Sequence, residues 1–481
     1  MASKPKPARP SRCWPLWLLF FCAAFAALFA VAALVLETRG RPPRLLGPYL
    51  ERRASGHNPL IVSIGERLDA LLTWLDRGAS PVGTPVIPWG APLTALPPAG
   101  GSTTVLVGSA VELTDAIRRA QPGDVITLLP GTYRFAGPSI PVNRPGRESS
   151  PITVRAETPG AARLEFNILE GFHVTAPWWV FENLHIQGVC TDHSDCEHAF
   201  HVVGKGSHFV ARNNTILNFN AHFKINGEGA QPDNGLIIGN VLRNTAVRAT
   251  SNPVTPIDLV GASNWTVRGN LIADFVKGQG DGISYGAFAK GAGGNNRFVA
   301  NTVVCEHLLR DARGQRVGLS LGGGGTSPGA CRDGRCVVEQ EGSLIESNLI
   351  ADCSDAGIYL NRAAQSRLRH NTLLDTGGIL LRFLETSADL DGNLVDGAVQ
   401  VADGAILRKG DNRVSSMTRL YLGSHPVRAL FRDVSAFDLG WAGEPPQRVE
   451  PAAQVADLCG GVRQTAQTYG AFEDFRSCVK R

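Results

Sequence analysis

The stretch "IIGNVLR" (237–243) contains the pattern that predicts the fold: aliphatic residues flank a single asparagine. Similar stretches recur from residue 180 onward, among them "ARNNTIL" (211–217), "VRGNLIA" (267–273) and "IESNLIA" (345–351). The recurring asparagines are 22 to 47 residues apart, and they are Asn183, Asn214, Asn240, Asn270, Asn301, Asn348, Asn371 and Asn393. Repeats of this length, padded by insertions, indicate a solenoid.

Each repeat is rich in Val and Ile, alternates with period two and lacks heptads or helix caps, so the repeating unit is β and not α. One asparagine per coil, at the same bend, can stack on its neighbours. Its side-chain amide then satisfies buried backbone groups. The sequence therefore predicts an all-β, single-stranded parallel β-helix over residues 102–400.

The N-terminus predicts a membrane segment. An apolar run of 23 residues, Trp14–Leu36, is long enough to cross a bilayer as a helix. We expect residues 1–36 to be a cytoplasmic tail and transmembrane anchor. A cleaved signal peptide is the alternative, because Ala30-Val31-Ala32 offers a cleavage site.

Two further segments flank the predicted β-helix. Residues 37–101 are expected to form a tether, with a short helix at Leu60–Arg77 and a Pro/Gly linker at 78–101. Residues 401–481 are expected to form a loop-rich cap over the open end of the coils.

Cysteine usage indicates an oxidising compartment. Eight cysteines follow the N-terminal segment, and their spacing suggests the pairs 190/196, 331/336 and 459/478, leaving Cys305 and Cys353. A zinc site is the alternative, but no C-x-x-C pair occurs. We expect a globular domain in the periplasm or outside the cell, secreted if the N-terminus is cleaved. The net charge of +4 and the absence of a dense basic run predict no nucleic-acid partner.

The segment "PGDVITLLPGTY" (122–133), followed by the asparagine coils, resembles the pectate-lyase-like right-handed parallel β-helix superfamily. Within it, the chain looks most like the chondroitinase-B and alginate-lyase branch. The resemblance implies a right-handed coil and a carbohydrate-active protein. Because this superfamily contains lyases, hydrolases, epimerases and non-catalytic adhesins, the fold alone does not give the activity.

The register of the coils predicts which side chains share a face. A second strand follows each asparagine, for example "AFHVVG" (199–204) and "HFKING" (222–227). Aligning these strands predicts a core stack of Phe200, Phe223, Ile257, Ile283, Leu319, Ile358 and Ile379. A second core stack is predicted at Val202, Ile225, Leu259, Tyr285, Leu321, Leu360 and Leu381. The outer row is then predicted as His201, Lys224, Asp258, Ser284, Ser320, Tyr359 and Leu380, and beside it Val203, Asn226, Val260, Gly286, Gly322, Asn361 and Arg382.

The outer row suggests a reactive centre. Successive coils lie about 4.8 Å apart, so His201, Lys224 and Asp258 are expected on three neighbouring rungs, with His222 on the same face. Eliminating across a uronic acid requires a base and a cation that neutralises the carboxylate. We interpret Lys224 as the base, with His201 and His222 as the other catalytic candidates.

Arg243 and Arg248 are candidates for the cation, as is a bound Ca²⁺. The resemblance supports Lys224, since in the lyase branch a base lysine is followed by an arginine about one coil later. That branch also places two acidic metal ligands just before its lysine, and none precedes Lys224 here, so no metal ligand is assigned. The expected substrate-binding residues are Asn226, Asp258, Arg248, Tyr359, Asn361 and Arg382. Asp258 could instead bind a metal, orient a histidine or pair with Lys224.

The sequence thus predicts a monomeric polysaccharide lyase, or an epimerase, that acts on an acidic, uronate-containing glycan. A hydrolase is less favoured, because Asp258 has no acidic partner on the neighbouring rungs. The alternative from another class is a non-catalytic β-helix that binds or scaffolds an envelope polysaccharide. The loop "CTDHSDCEH" (190–198) is either a metal site or an exposed polar loop beside the groove.

Overall fold

The computed structural model describes residues 14–39, 41–78, 103–310, 312–323, 325–449 and 456–479. Three long, all-parallel sheets run through residues 103–414, and each coil adds one strand to each sheet. The first sheet has the strands Thr103–Val107, Asp124–Leu128, Ile152–Ala156, Trp179–Glu182, Val210–Arg212, Leu236–Ile238, Thr266–Arg268, Arg297–Val299, Leu344–Glu346, Ser366–Arg369, Ser387–Asp391 and Ile406–Lys409.

The second sheet has the strands Gly131–Ala136, Ala162–Asn167, His185–Gly188, Thr215–Leu217, Val241–Arg243, Leu271–Ala273, Thr302–Val304, Leu349–Ala351, Thr372–Leu374, Leu394–Val395 and Arg413–Val414. The third sheet has the strands Ile140–Val142, Glu170–Val174, His198–Val203, Ala221–Asn226, Ile257–Val260, Ile283–Lys290, Gln315–Leu321, Ile358–Asn361, Gly378–Arg382 and Ala398–Ala402. This topology confirms the predicted parallel β-helix, and its coils continue past residue 400 to Val414.

Shorter strands lie outside the three sheets. They are Gly293–Gly294, Gln340–Glu341 and Ala363–Ala364 in one parallel sheet, Phe431–Asp433 with Asp438–Trp441, and Gln447–Val449 with Ala466–Thr468. The helices are α1 (Trp14–Arg39), α2 (Pro43–Ala54), α3 (Pro59–Arg77), α4 (Ala110–Arg119), α5 (Met417–Tyr421) and α6 (Arg476–Val479).

The interior of the coils is filled by side chains that stack from rung to rung. Phe172, Phe200 and Phe223 occupy equivalent positions on successive strands of the third sheet, with ring centroids 5.1 and 5.3 Å apart. All three are fully buried. Such stacks bury a continuous apolar core along the solenoid, as the period-two pattern predicts.

An asparagine ladder lines the bend between the first and second sheets. Each buried amide donates to the Oδ1 of the next asparagine, for example from Asn270 to Asn301 at 2.9 Å and from Asn301 to Asn348 at 3.0 Å. The ladder runs through Asn214, Asn240, Asn270, Asn301, Asn348, Asn371, Asn393 and Asn412.

The predicted ladder differs from the observed one at both ends. Asn183 lies one residue early: Leu184 holds the ladder position, and its N–H donates to Asn214 Oδ1. Asn183 takes a positive φ of 62° and accepts a hydrogen bond from Asn213 instead. At the other end, Asn412 extends the ladder by one coil.

Four disulfides cross-link the described residues. The three pairs suggested by spacing are confirmed: Cys190–Cys196, Cys331–Cys336 and Cys459–Cys478. The fourth is Cys305–Cys353. It joins neighbouring coils just after strands whose residues Val304 and Ala351 are register partners.

Helices α2 and α3, which lie in the segment 37–101 expected to form a tether, are docked on the coils. Helices α2 and α3 pack closely, because a Cβ on Gly65 would lie 2.5 Å from Ala54 Cβ. The buried Arg44 guanidinium pairs with Asp76 at 2.7 Å and with Asp375 of the β-helix at 2.8 Å. The observed α3 agrees with the predicted helix, whereas the Pro/Gly linker lies almost entirely outside the described residues.

Helix α1 is long and apolar enough to cross a membrane over Leu18–Val35, by length and composition. The same criterion would accept a signal sequence. Glu37, near its C-terminal end, accepts hydrogen bonds from the backbone N–H groups of Met417 and Thr418 at the start of α5.

The C-terminal segment is expected from the sequence to cover the open end of the coils. In the structure it packs against a flank of the coils. Phe431, Phe472 and Phe475 form one buried cluster with Val304 and Leu374, which belong to strands of the second sheet. The segment thus covers the second sheet and leaves the third sheet to carry polar side chains on its outer face.

Candidate active site on the third sheet

The strand register of the third sheet defines the outer row of side chains. From first to last coil it reads Pro141, His173, His201, Lys224, Asp258, Phe288, Ser320, Tyr359, Leu380 and Gln400. His201, Lys224 and Asp258 therefore lie on three successive rungs, as the alignment placed them.

One rung of the predicted row is wrong. Asp258 pairs with Phe288, whereas Ser284 pairs with Arg316 and is fully buried. A shift of the pairing by four residues, an even number, leaves the same alternation of inward and outward side chains. The apolar pattern therefore could not distinguish Ser284 from Phe288 as the partner of Asp258. Consequently Ala287 and Ala289 replace Ile283 and Tyr285 in the core stacks, and Lys290 replaces Gly286 beside the outer row.

Lys224 and Asp258 form an ion pair across two rungs, with Lys224 Nζ 2.7 Å from Asp258 Oδ2. Asp258 is nearly buried, and about a quarter (23%) of the Lys224 side chain remains exposed. The pairing interpretation of Asp258 thus agrees with the geometry. The exposed part of Lys224 leaves its amine able to meet a ligand lying along the row.

His201 is held between two acceptors. Its Nδ1 lies 2.8 Å from Glu170 Oε1, and its Nε2–H donates to Asn226 Oδ1 at 2.8 Å. Burial opposes protonation, but the hydrogen bonds to Glu170 and Asn226 outweigh it and raise the pKa of His201. The hydrogen bonds from His198 and His201 lower the pKa of Glu170. The protonated, cationic form of His201 is therefore favoured.

Two more histidines surround the same carboxylate. His173 Nδ1 lies 3.4 Å from Glu170 Oε2, and His198 Nδ1 lies 3.4 Å from Glu170 Oε1. Glu170, His173 and His201 are the residues in the described part of the chain that could hold a metal ion. The alignment missed Glu170 and His173 because it began at residue 180. The stretch "EGFHV" (170–174), which parallels "AFHVV" (199–203), was the available signal.

His222 does not share the outer face with Lys224. It is fully buried at the corner between the second and third sheets, and its Nε2–H faces Arg243 O at 3.3 Å. Burial lowers the pKa of His222 to about 3. The prediction assumed strict alternation, but Ala221, His222 and Phe223 at the start of the strand are all buried, so His222 has no access to the groove.

The two arginines predicted as cations lie away from the outer row. Arg248 is almost fully buried, donating to Asn220 Oδ1 and to the carbonyl oxygens of His193 and Cys196. Burial lowers its pKa to about 10. Arg243 pairs with Asp274 at 2.8 Å on the second sheet. Arg248 thus supports the 190–198 loop and does not reach a substrate on the outer row.

The far end of the row carries the remaining predicted binding residues. Asn361 Nδ2 donates to the Tyr359 hydroxyl at 2.8 Å, and Asn361 is nearly buried. Arg382 is partly exposed and pairs with Asp403 at 2.6 Å. In the middle, Lys290 Nζ lies 4.5 Å above the Phe288 ring. The aromatic rings of Phe288 and Tyr359 and the charged groups of Lys290 and Arg382 therefore lie along this part of the surface.

No protein-family profile matches the chain. A curated relative, pectate lyase L of Dickeya chrysanthemi, is 34% identical over 91 residues, which cover 16% of this chain and 21% of the relative. These 91 residues and the parallel β-helix make the chain similar to pectate lyases of this fold. Pectate lyase L of Dickeya dadantii (strain 3937) is 26% identical over 146 residues, 28% of this chain and 31% of the relative. The chain thus spans about a fifth to a third of these relatives.

Solved structures of similar proteins include pectate lyase Pel9A, with 14% identity, 78% of this chain and 97% of that chain covered, and a TM-score of 0.42. A rhamnogalacturonan lyase has 12% identity, coverages of 65% and 87%, and a TM-score of 0.46. The three parallel sheets and the asparagine ladder, not these distant superpositions, define the architecture of this chain.

Proposed function

We propose that this β-helix protein is a polysaccharide lyase that cleaves an acidic, uronate-containing glycan by β-elimination on the outer face of the third sheet. The row His201–Lys224–Asp258 carries the proposal. It places a cationic imidazole and an amine on neighbouring rungs, about 4.8 Å apart. The curated relatives that carry the name pectate lyase support the same reaction class.

The elimination assigns one role to each of two groups. The His201 imidazolium, whose pKa is raised, would neutralise the uronate carboxylate and so acidify the C5 proton. The deprotonated Lys224 amine would take that proton. The C5–H electron pair then forms the C4–C5 double bond, the C4–O bond breaks, and the departing oxygen takes a proton from water.

Asp258 would hold Lys224 until the substrate arrives. Because the ion pair keeps the amine over the row, a bound uronate does not need to order a long, flexible side chain. Asn226 would fix the His201 ring through its 2.8 Å hydrogen bond. Tyr359, Asn361 and Arg382 would bind sugar units farther along the row.

The experiment measures unsaturated uronate by its ultraviolet absorbance after incubation with a panel of uronate polymers. Lys224→Ala is expected to lower kcat by about 10²–10⁴-fold while glycan binding persists. The exposed Lys205 on a turn offers the control Lys205→Ala, which should keep full activity. The proposal fails if no polymer yields an unsaturated product, or if Lys224→Ala retains full activity.

An epimerase and a non-catalytic binder are the other candidates. The epimerase would remove the same C5 proton without breaking the C4–O bond, so it would incorporate deuterium from D₂O without ultraviolet absorbance. The satisfied Lys224–Asp258 ion pair favours a binder, since neither group needs further chemistry. Glycan binding without either reaction would support that function.

For location, we propose that α1 anchors the protein and that the β-helix works as a monomer on an oxidising side of the membrane, in the periplasm or outside the cell. The four disulfides support such a compartment. The mass of the mature protein distinguishes an anchor from a cleaved signal, because cleavage near Ala32 would remove the apolar run.

A further inference from the structure

We propose that Glu170, His173 and His201, with His198 beside them, bind one divalent transition-metal ion of the zinc class on the outer face of the third sheet. This site rests on its own geometry and does not require that the chain be a lyase. Its four side chains come from two neighbouring strands, Glu170–Val174 and His198–Val203.

The strand register assembles the cluster. Glu170 is the register partner of His198, and His173 is the register partner of His201. A Cβ on the intervening Gly171 would lie only 2.6 Å from Ala199 O, so glycine allows the two strands to approach closely here. Backbone pairing therefore places the four residues side by side before any ligand arrives.

The distances suit a small ion with imidazole and carboxylate ligands. Zinc binds nitrogen and oxygen at about 2.0–2.2 Å, so tetrahedral ligand atoms lie about 3.3 Å from one another. His173 Nδ1 and His198 Nδ1 each lie 3.4 Å from a Glu170 oxygen, and His201 Nδ1 lies 2.8 Å from Oε1. Small rotations of these side chains would admit an ion at their centre.

The tautomer of His201 is set for metal binding. Its Nε2–H donates to Asn226 Oδ1, so in the neutral ring the lone pair is on Nδ1. That lone pair faces a carboxylate oxygen 2.8 Å away, and this arrangement requires a positive species between the two atoms. A proton or a metal ion fills this requirement. Asn226 thereby acts as the outer partner that orients a metal-bound histidine.

The donor set selects the metal class. Calcium prefers six to eight oxygen ligands, whereas the two imidazoles of His173 and His201 and the Glu170 carboxylate suit zinc and its neighbours. The side chains of Glu170, His173 and His201 are 21%, 34% and 17% exposed, so one coordination position would face the groove. If the proposed lyase function also holds, the ion would take the place of the His201 Nδ1 proton and would itself neutralise the uronate carboxylate, one rung from Lys224.

The test is isothermal titration of Zn²⁺ into the full-length, untagged protein in detergent, after chelator treatment. One equivalent should bind at neutral pH, with no comparable binding of Ca²⁺. Glu170→Gln and His201→Gln should each weaken binding by at least about tenfold, because even an outer partner of a metal ligand contributes about 10–100-fold. Co²⁺ in place of Zn²⁺ should give a visible spectrum that reports nitrogen ligation.

Matched variants separate a site from general histidine binding. His57→Gln removes an exposed histidine in the turn between α2 and α3 and should not change the affinity for Zn²⁺. Asn226→Ala should weaken binding, whereas Asn226→Asp, which keeps the acceptor, should restore it. Circular dichroism checks that each variant is folded. Binding weaker than about 100 μM, or equal in the wild type and the folded Glu170→Gln and His201→Gln variants, would overturn the proposal, since a proton would then occupy the position alone.

Discussion

At the scale of single residues, the buried His222 makes the native state sensitive to acid. Its pKa is lowered to about 3 by burial, whereas in the unfolded chain it takes the ordinary histidine value of about 6.5. Between these values the unfolded state binds more protons than the native state. The stabilising contribution is therefore fully present above about pH 6.5 and is lost progressively as the pH falls toward 3.

We predict that His222→Gln makes stability less dependent on pH. Wild-type unfolding free energy should fall by up to about 1.4 kcal/mol per pH unit through this one group, and the variant should lack that part. Urea unfolding of both proteins at pH 7 and pH 4.5 measures the difference. An equal loss in both proteins would contradict the prediction, and His57→Gln is the control at an exposed position.

At the scale of structural elements, the asparagine ladder carries much of the specificity of the coil. Asn301 accepts from the backbone and side chain of Asn270 and donates to Val267 O and Asn348 Oδ1. Asn270, Asn301 and Asn348 are all fully buried. Removing one member therefore leaves several buried donors and acceptors without partners.

We predict that Asn301→Ala lowers the free energy of unfolding by about 3 kcal/mol, since each buried group left unpaired costs about 1–3 kcal/mol. Asn412→Ala, at the partly exposed end of the ladder, should cost less than half as much, because water can replace the lost amide. Urea unfolding monitored by circular dichroism gives both values. Equal costs at the two positions would show that the ladder does not act through burial.

The sequence predicts the coils well because a buried strand and a buried amide each impose a local pattern. It predicts register less well, since the alternation of Ile283–Lys290 is satisfied at two alignments four residues apart. The Cys305–Cys353 bridge could have been inferred from the equivalent positions of the two residues in adjacent coils. The cluster around Glu170 could have been found from the stretch "EGFHV" (170–174), which repeats the pattern of the next coil. The burial of His222 and Arg248 depends on tertiary packing, to which no periodicity corresponds.

At the scale of the whole molecule, a buried network of ion pairs fixes the helical hairpin formed by α2 and α3 to the coils. Arg44 binds Asp76 of α3 and Asp375 of the β-helix, and Arg428 of the C-terminal segment donates to the backbone oxygens of Asp76 and Arg77. The network thus joins the N-terminal helices, the coils and the C-terminal segment. Its charges are satisfied only while all three are in place.

We predict that Arg44→Met loosens this junction. Two buried carboxylates would lose a shared partner, which costs about 3–5 kcal/mol in such pairs. Hydrogen exchange should become faster for the amides of α2 and α3 while the asparagine coils stay protected. Arg67→Met, at an exposed position of α3, is the control. Unchanged exchange in the hairpin would show that apolar contacts alone hold it.

The ladder also allows coils of very different length to stack in one β-helix. The ladder takes one residue from each coil, so the hydrogen bonds between its members do not depend on the length of chain between them. That length ranges from 19 residues (Asn393 to Asn412) to 47 residues (Asn301 to Asn348). The longest of these coils carries the Cys331–Cys336 loop without interrupting the amide chain. Loops beside the groove can therefore diverge in evolution while the spacing of the rungs stays the same. The number of coils then sets the length of polymer that can lie on the surface.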